Sequence, residues 1–218
     1  MKLHTTNHRK TGAFTLIEMI GVLAVIAILA GMLIPKVFSA ISNARVSNAA
    51  VCCETIKTAL ADHYAKYGAI PVDGTTNPPI TLTPSTGAAL QFDLVLLKEG
   101  FLDKPFAVKI GDGISGSINT RVEVISIAGL KTGDTVDANG ASGYALAGGT
   151  TNSITGSVLA QAVITGVTES DARDLSDRID GSSAAFTNPT TGTSDASGRV
   201  KYATSATTTT VYVYLTHR

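Results

Sequence analysis

Four histidines, two cysteines and 17 acidic residues are the groups that could carry catalysis or hold a metal in this chain. The histidines do not assemble into a chemistry: His4 and His8 lie in the first ten residues, His63 falls in a helical pattern, and His217 is next to the last residue. No Ser-His-Asp set, metal spacing or phosphate loop accompanies them, so enzymatic activity is not expected. Asp171, Asp174, Asp177 and Asp180 recur every third residue. On a helix this spacing drifts by about 60° per step, giving a spiral of carboxylates interrupted by Arg173 and Arg178. A solvated acidic face and a calcium site are both open readings. Asp134, Asp137 and Asn139 before Gly140 miss the spacing of a helix-loop-helix calcium loop and read as turn residues. Cys52 and Cys53 point about 100° apart on a helix, which disfavours a bond between them. They read as small packing residues, or as one half of a disulfide between subunits.

Glu18 is the residue whose setting demands most explanation. It is the one charge in residues 13–35, AFTLIEMIGVLAVIAILAGMLIP. A carboxylate within a membrane helix costs roughly 2.5–3.5 kcal/mol on insertion scales, so it either has a function or lies close enough to the interface to reach headgroup water. About twenty apolar residues cross the hydrocarbon core of a bilayer, and residues 14–34 supply them. Lys2, Arg9 and Lys10 precede the run, which keeps the leader in the cytoplasm and sends the remainder across. A cleaved signal peptide would have a shorter apolar region ending in small residues; here the run ends in Met32-Leu33-Ile34-Pro35-Lys36, so the segment is expected to be retained.

Gly12-Ala13-Phe14-Thr15-Leu16-Ile17-Glu18 resembles the class III signal of type IV pilins and type II secretion pseudopilins, in which a short basic leader and a small residue precede Phe and a Glu at the fifth mature position. With cleavage after Ala13, Phe14 is the first mature residue, Glu18 the fifth and Pro35 the twenty-second. The family usually has Gly before the cut, where this chain has Ala13 preceded by Gly12. The resemblance implies processing by a prepilin peptidase, N-methylation of Phe14, and assembly with identical and related subunits on an inner-membrane platform. It also implies that Glu18 of one subunit pairs with the Phe14 amine of its neighbour. The expected location is the bacterial inner membrane, crossed once with the head outside the cytoplasm, and then a surface pilus or a periplasmic pseudopilus. Major pseudopilins often carry calcium near the C-terminus, but those ligands do not map onto the Thr-rich tail, and no other cofactor is expected. The alternative is a single-pass anchored binding protein that never polymerises.

Composition fits one folded head. Removing Lys2, Arg9 and Lys10 from the 17 basic residues leaves 14 against 17 acidic ones, which gives no electrostatic case for nucleic-acid binding. The expected division is a leader at 1–13, a transmembrane and assembly segment at 14–35, and a head at 36–218 that includes the second half of the long helix.

The expected fold class is α+β. Phe38, Ile41, Ala49, Cys52/Cys53, Ile56, Leu60, His63/Tyr64 and Tyr67 keep a spacing of three or four, which predicts an amphipathic continuation of the helix lying on the head. Residues 14–67 then form one helix about 80 Å long, kinked or loosened at Pro35 and ended by Gly68. Residues 71–84 read as loop. A short helix follows at 88–98, with Leu90, Leu94 and Leu97 on one face and Gly100 after it; residues 96–106 resemble a segment found between helix and sheet in pseudopilins. Strands are predicted at 119–127, 143–147, 157–167, 199–203 and 208–216, forming an antiparallel sheet against the helix. Thr168 and Asp171 have the spacing of an N-cap and its N3 acid, Gly181 closes that helix, and Ala172, Leu175 and Ile179 form its apolar stripe.

Overall fold

A computed structural model describes residues 14–71, 91–111, 120–138, 140–181 and 192–218. Its elements are α1 (Leu16–Tyr67), α2 (Phe92–Lys98), β1 (Thr120–Ser126), a single 3₁₀ turn (Gly140–Ser142), β2 (Val158–Val167), α3 (Glu169–Asp180), β3 (Val200–Tyr202) and β4 (Thr209–His217). The four strands form one antiparallel sheet in the order β1-β2-β4-β3. This is the pilin-like α+β class expected from the sequence. The chain divides after Ile41 into two compact units, and each is described on its own.

The unit that begins at Ser42 is built on alternation along the strands, shifted where the β2–β4 pairing is irregular between Ala160 and Gln161 and between Ile164 and Val167. β2 sends Ala160, Ala162 and Ile164 to one face of the sheet, and Val211, Val213 and Leu215 of β4 join them in a single buried cluster. The second half of α1 contributes Val46, Ala49, Cys53, Ile56 and Leu60 to the same cluster, at the three- and four-residue spacing of one helix face. Residues 127–157, between β1 and β2, supply Ile127, Tyr144 and Ile154 to a smaller cluster with Leu159, against which Tyr212 and Tyr214 pack. The sheet therefore has apolar cover on both faces.

Local chemistry ends the helices where the sequence indicates. Gly68 takes a positive φ of 72°, and its amide reaches the Tyr64 carbonyl at 2.7 Å. The Thr168 hydroxyl accepts from the Asp171 amide at 3.3 Å, which caps α3, and Ala172 and Leu175 are fully buried beneath it.

Three expectations are corrected. Phe38 and Ile41 do not lie on the packed face of α1: they are exposed, and burial on this helix starts at Val46. Residues 143–147 are not a strand; this stretch makes only an isolated bridge from Ala145 to Ser197. It is fixed by side chains instead, with the Tyr144 hydroxyl donating to Gln161 Oε1 at 2.9 Å and the Tyr144 amide donating to Asn152 Oδ1 at 3.2 Å. On α2 the buried apolar residues are Phe92, Val95 and Leu96, while Leu94 and Leu97 are half-buried. Asp93 sets that rotation, because its carboxylate accepts from the Val122 amide of β1 at 3.2 Å. Leu90, Asn119 and Asn139 lie outside the described residues.

Candidate functional site

The residues singled out by the apolar run lie on or just before α1. Gly12 and Ala13 fall outside the described residues. Phe14 precedes the helix and is exposed. Pro35 sits inside α1, which runs on without a break. Proline has no amide to donate, so the Gly31 carbonyl has no partner four residues on; the Pro35 carbonyl itself accepts from Ser39 Oγ at 3.2 Å.

Glu18 is the third helical residue, and its carboxylate turns back on the helix start. Oε2 accepts from the Thr15 amide at 2.8 Å and from Thr15 Oγ at 2.7 Å, while the Glu18 amide donates to Thr15 Oγ at 3.3 Å. The Thr15 carbonyl accepts the first helical bond, from Met19, at 3.3 Å. This is a capping box, in which an N-cap Thr and an N3 Glu satisfy each other's free amides. A carboxylate at a helix N-terminus is also favoured by the helix dipole. The acid that looked anomalous by hydropathy thus has a structural reason to sit four residues after Phe14. Thr15 was not singled out by the sequence reading, although Thr-x-x-Glu is a signature legible without a structure. Oε1 accepts no hydrogen bond among the described residues.

Around Glu18 the helix is apolar on every side. Among the described residues α1 is the one helix long and apolar enough to cross a membrane, and none of the apolar window is buried within the chain.

The other candidate groups serve the fold of the head. Asp171 accepts from Ser42 Oγ at 2.9 Å, and Asp180 accepts from the Arg199 and Val200 amides at 2.9 and 3.0 Å. Asp171 and Asp180 therefore face different partners, Asp174 and Asp177 line one open recess with Asn43 and Arg178, and no group of three or more potential metal ligands gathers among the described residues. Asp134 accepts from the Lys131 amide at 2.7 Å, as a turn residue does. Cys53 is buried and its thiol is pushed up to about 12 by loss of water; Cys52 is half-buried and also raised by burial. His63 is enclosed by Tyr67, Phe92 and Phe101 and lies 3.2 Å from Glu99, with desolvation lowering the imidazole and raising the carboxyl. His217 Nδ1 is 2.6 Å from the Tyr214 hydroxyl.

The prokaryotic N-terminal methylation motif matches residues 8–34. This is the prepilin-type signal of type IV pilins and pseudopilins, and it spans the end of the basic leader, Phe14, the Thr15–Glu18 cap and the apolar helix. No curated protein and no solved structure matches the chain.

Proposed function

We propose that the chain is a structural subunit of a type IV pilus-like or type II secretion pseudopilus filament, cut after Ala13 by a prepilin peptidase and methylated on the Phe14 amine. The observation that carries this reading is the methylation motif over residues 8–34, placed on an apolar helix whose one carboxylate is held at its N-cap. Both the motif and the helix support membrane anchoring of a pilin-like precursor. The single-pass topology, with the head outside the cytoplasm, follows from the basic residues Lys2, Arg9 and Lys10 ahead of the helix. The role assigned to the head is structural rather than catalytic.

Glu18 gives assembly a physical driving force. Thr15 occupies Oε2 and leaves Oε1 for a donor outside the described chain. The Phe14 amine of a neighbouring subunit is such a donor, and a paired charge in an apolar bundle costs far less than a lone one. Repetition of this heterologous contact generates a fibre, fed by subunits from the inner-membrane assembly platform.

Mass spectrometry of the protein from its native membrane tests the reading: the mature chain should begin at N-methylated Phe14. Glu18→Ala should still be cut yet yield few fibres. A chain beginning at Met1 in cells with an active prepilin peptidase, or normal fibre yield from Glu18→Ala, would refute it.

A further inference from the structure

α1 starts just after the bond at which the chain is proposed to be cut. Phe14 and Thr15 precede the helix, Leu16 opens it, and Phe14 is exposed. Helix propensity does not put the start there. Alanine is the best helix former and phenylalanine does not break a helix, so neither Ala13 nor Phe14 bars another turn. An apolar surrounding favours that turn, because backbone amides left unpaired in hydrocarbon are costly. Thr11 and Gly12 are the next residues upstream with N-cap chemistry, and a start at either would carry the Ala13–Phe14 bond into the first turn.

Thr15 is what holds the start at Leu16. Its hydroxyl accepts from the Glu18 amide at 3.3 Å and donates to Glu18 Oε2 at 2.7 Å, and its own amide donates to that oxygen at 2.8 Å. Its carbonyl takes the first helical bond, from Met19. An N-cap residue has non-helical backbone, so the chain ahead of it is released from the helix.

We infer that Thr15 is a positioning residue for processing: by capping α1 it keeps the Ala13–Phe14 peptide out of the helix, where a peptidase can bind it extended. The inference rests on the cleavage proposed above and names the residue that makes that bond reachable. Hydrolysis adds one water across the amide, leaving a carboxylate on Ala13 and an ammonium on Phe14. In a helix the Ala13 carbonyl would be engaged by the amide of residue 17, and cleavage would follow the fraction of chains in which that turn is open. Glu18 supplies only part of the cap. In Glu18→Ala the Thr15 hydroxyl still accepts from the amide of residue 18, so that variant remains cleavable.

The test is a pulse-chase of the full-length chain in its own membrane with prepilin peptidase limiting, read as loss of the leader. Thr15→Ala should slow that loss about fivefold, the factor that corresponds to a lost N-cap. Thr15→Ser and Thr15→Asn, which cap with side chains of different shape, should be cut at the wild-type rate. In the uncut chain in detergent, the Cα chemical shifts of Ala13 and Phe14 should move toward helical values in Thr15→Ala and stay at wild-type values in Thr15→Asn. Cleavage of Thr15→Ala at the wild-type rate would overturn the inference and leave the filament reading in place. Wild-type cleavage of Thr15→Ser together with slow cleavage of Thr15→Asn would overturn it too, since the peptidase would then be reading the hydroxyl itself. A wild-type chain that keeps its leader beside an active peptidase would remove both.

Discussion

The two halves of α1 share one uninterrupted helix and differ in what surrounds them. Leu23 in the first half is 65% exposed, whereas Leu60 in the second is 0% exposed, with the sheet and α2 closing over it. Helix propensity does not separate the halves; burial does. The second half gains its stability from tertiary packing within the chain. The first half presents apolar side chains on every side and, as a membrane anchor, draws its stabilisation from lipid.

The largest effect expected from this comparison comes from equal deletions in the two halves. Leu60→Ala should lower the unfolding free energy of the head by about 2–5 kcal/mol, the range for a leucine removed from a packed core. Leu23→Ala should leave it unchanged within about 0.5 kcal/mol. Urea titration of the full-length protein in detergent, followed by tyrosine near-UV circular dichroism, measures both. Similar losses from the two variants would break the distinction.

A smaller effect lies inside the head, where buried carboxylates close its loops. Asp180 joins the end of α3 to the start of β3 through the Arg199 and Val200 amides. Asp180→Ala strands these part-buried donors and should cost about 1–3 kcal/mol in the same titration. Asp93, which holds α2 against the edge strand β1, is raised above its ordinary value of 3.8 by burial, against the hydrogen bonds it accepts. A folded carboxyl with a raised pKa contributes stability that is fully present below the unfolded value and is lost as pH rises through the folded one. Wild type should therefore gain stability relative to Asp93→Asn as pH falls from 7 toward 4. A difference between the two that stays flat with pH would mean that Asp93 is not desolvated as the structure has it.

The parts of this molecule that were legible in the sequence are those fixed by local chemistry. The Thr168 cap, the closing glycines Gly68 and Gly181, and the alternation of Val211, Tyr212, Val213 and Tyr214 each depend on a few neighbouring residues. Phe38 and Ile41 were misplaced because periodicity specifies an apolar face without specifying what covers it. The cover over the outer face of the sheet was not legible for a different reason. Tyr144 is held by Gln161 and Asn152, partners that neither periodicity nor turn signatures reveal. At the candidate site, hydropathy made Glu18 stand out while drawing attention away from Thr15. The capping spacing read correctly from Thr168 to Asp171 is also present from Thr15 to Glu18, and there it lies at the edge of a run that reads first as membrane helix.

That pair of caps supplies the finest test of the contrast between the regions. Thr15→Val preserves the shape of the side chain, removes the hydroxyl that donates to Glu18 Oε2, and leaves the Thr15 backbone amide to donate alone. The Glu18 amide loses its acceptor at the same time. Loss of an N-cap costs about 1 kcal/mol, felt within the first turn, so hydrogen exchange at the Glu18 amide should quicken about fivefold in detergent. The unfolding midpoint of the head should not move, because none of its buried core draws on Thr15. Thr168→Val is the matched change in the other region: it removes a cap from a helix that packs on the sheet, so its cost should appear in the unfolding of the head. If Thr15→Val also shifted that midpoint, the first turn of α1 would be coupled to the head, and the two halves of the helix could not be treated as independent.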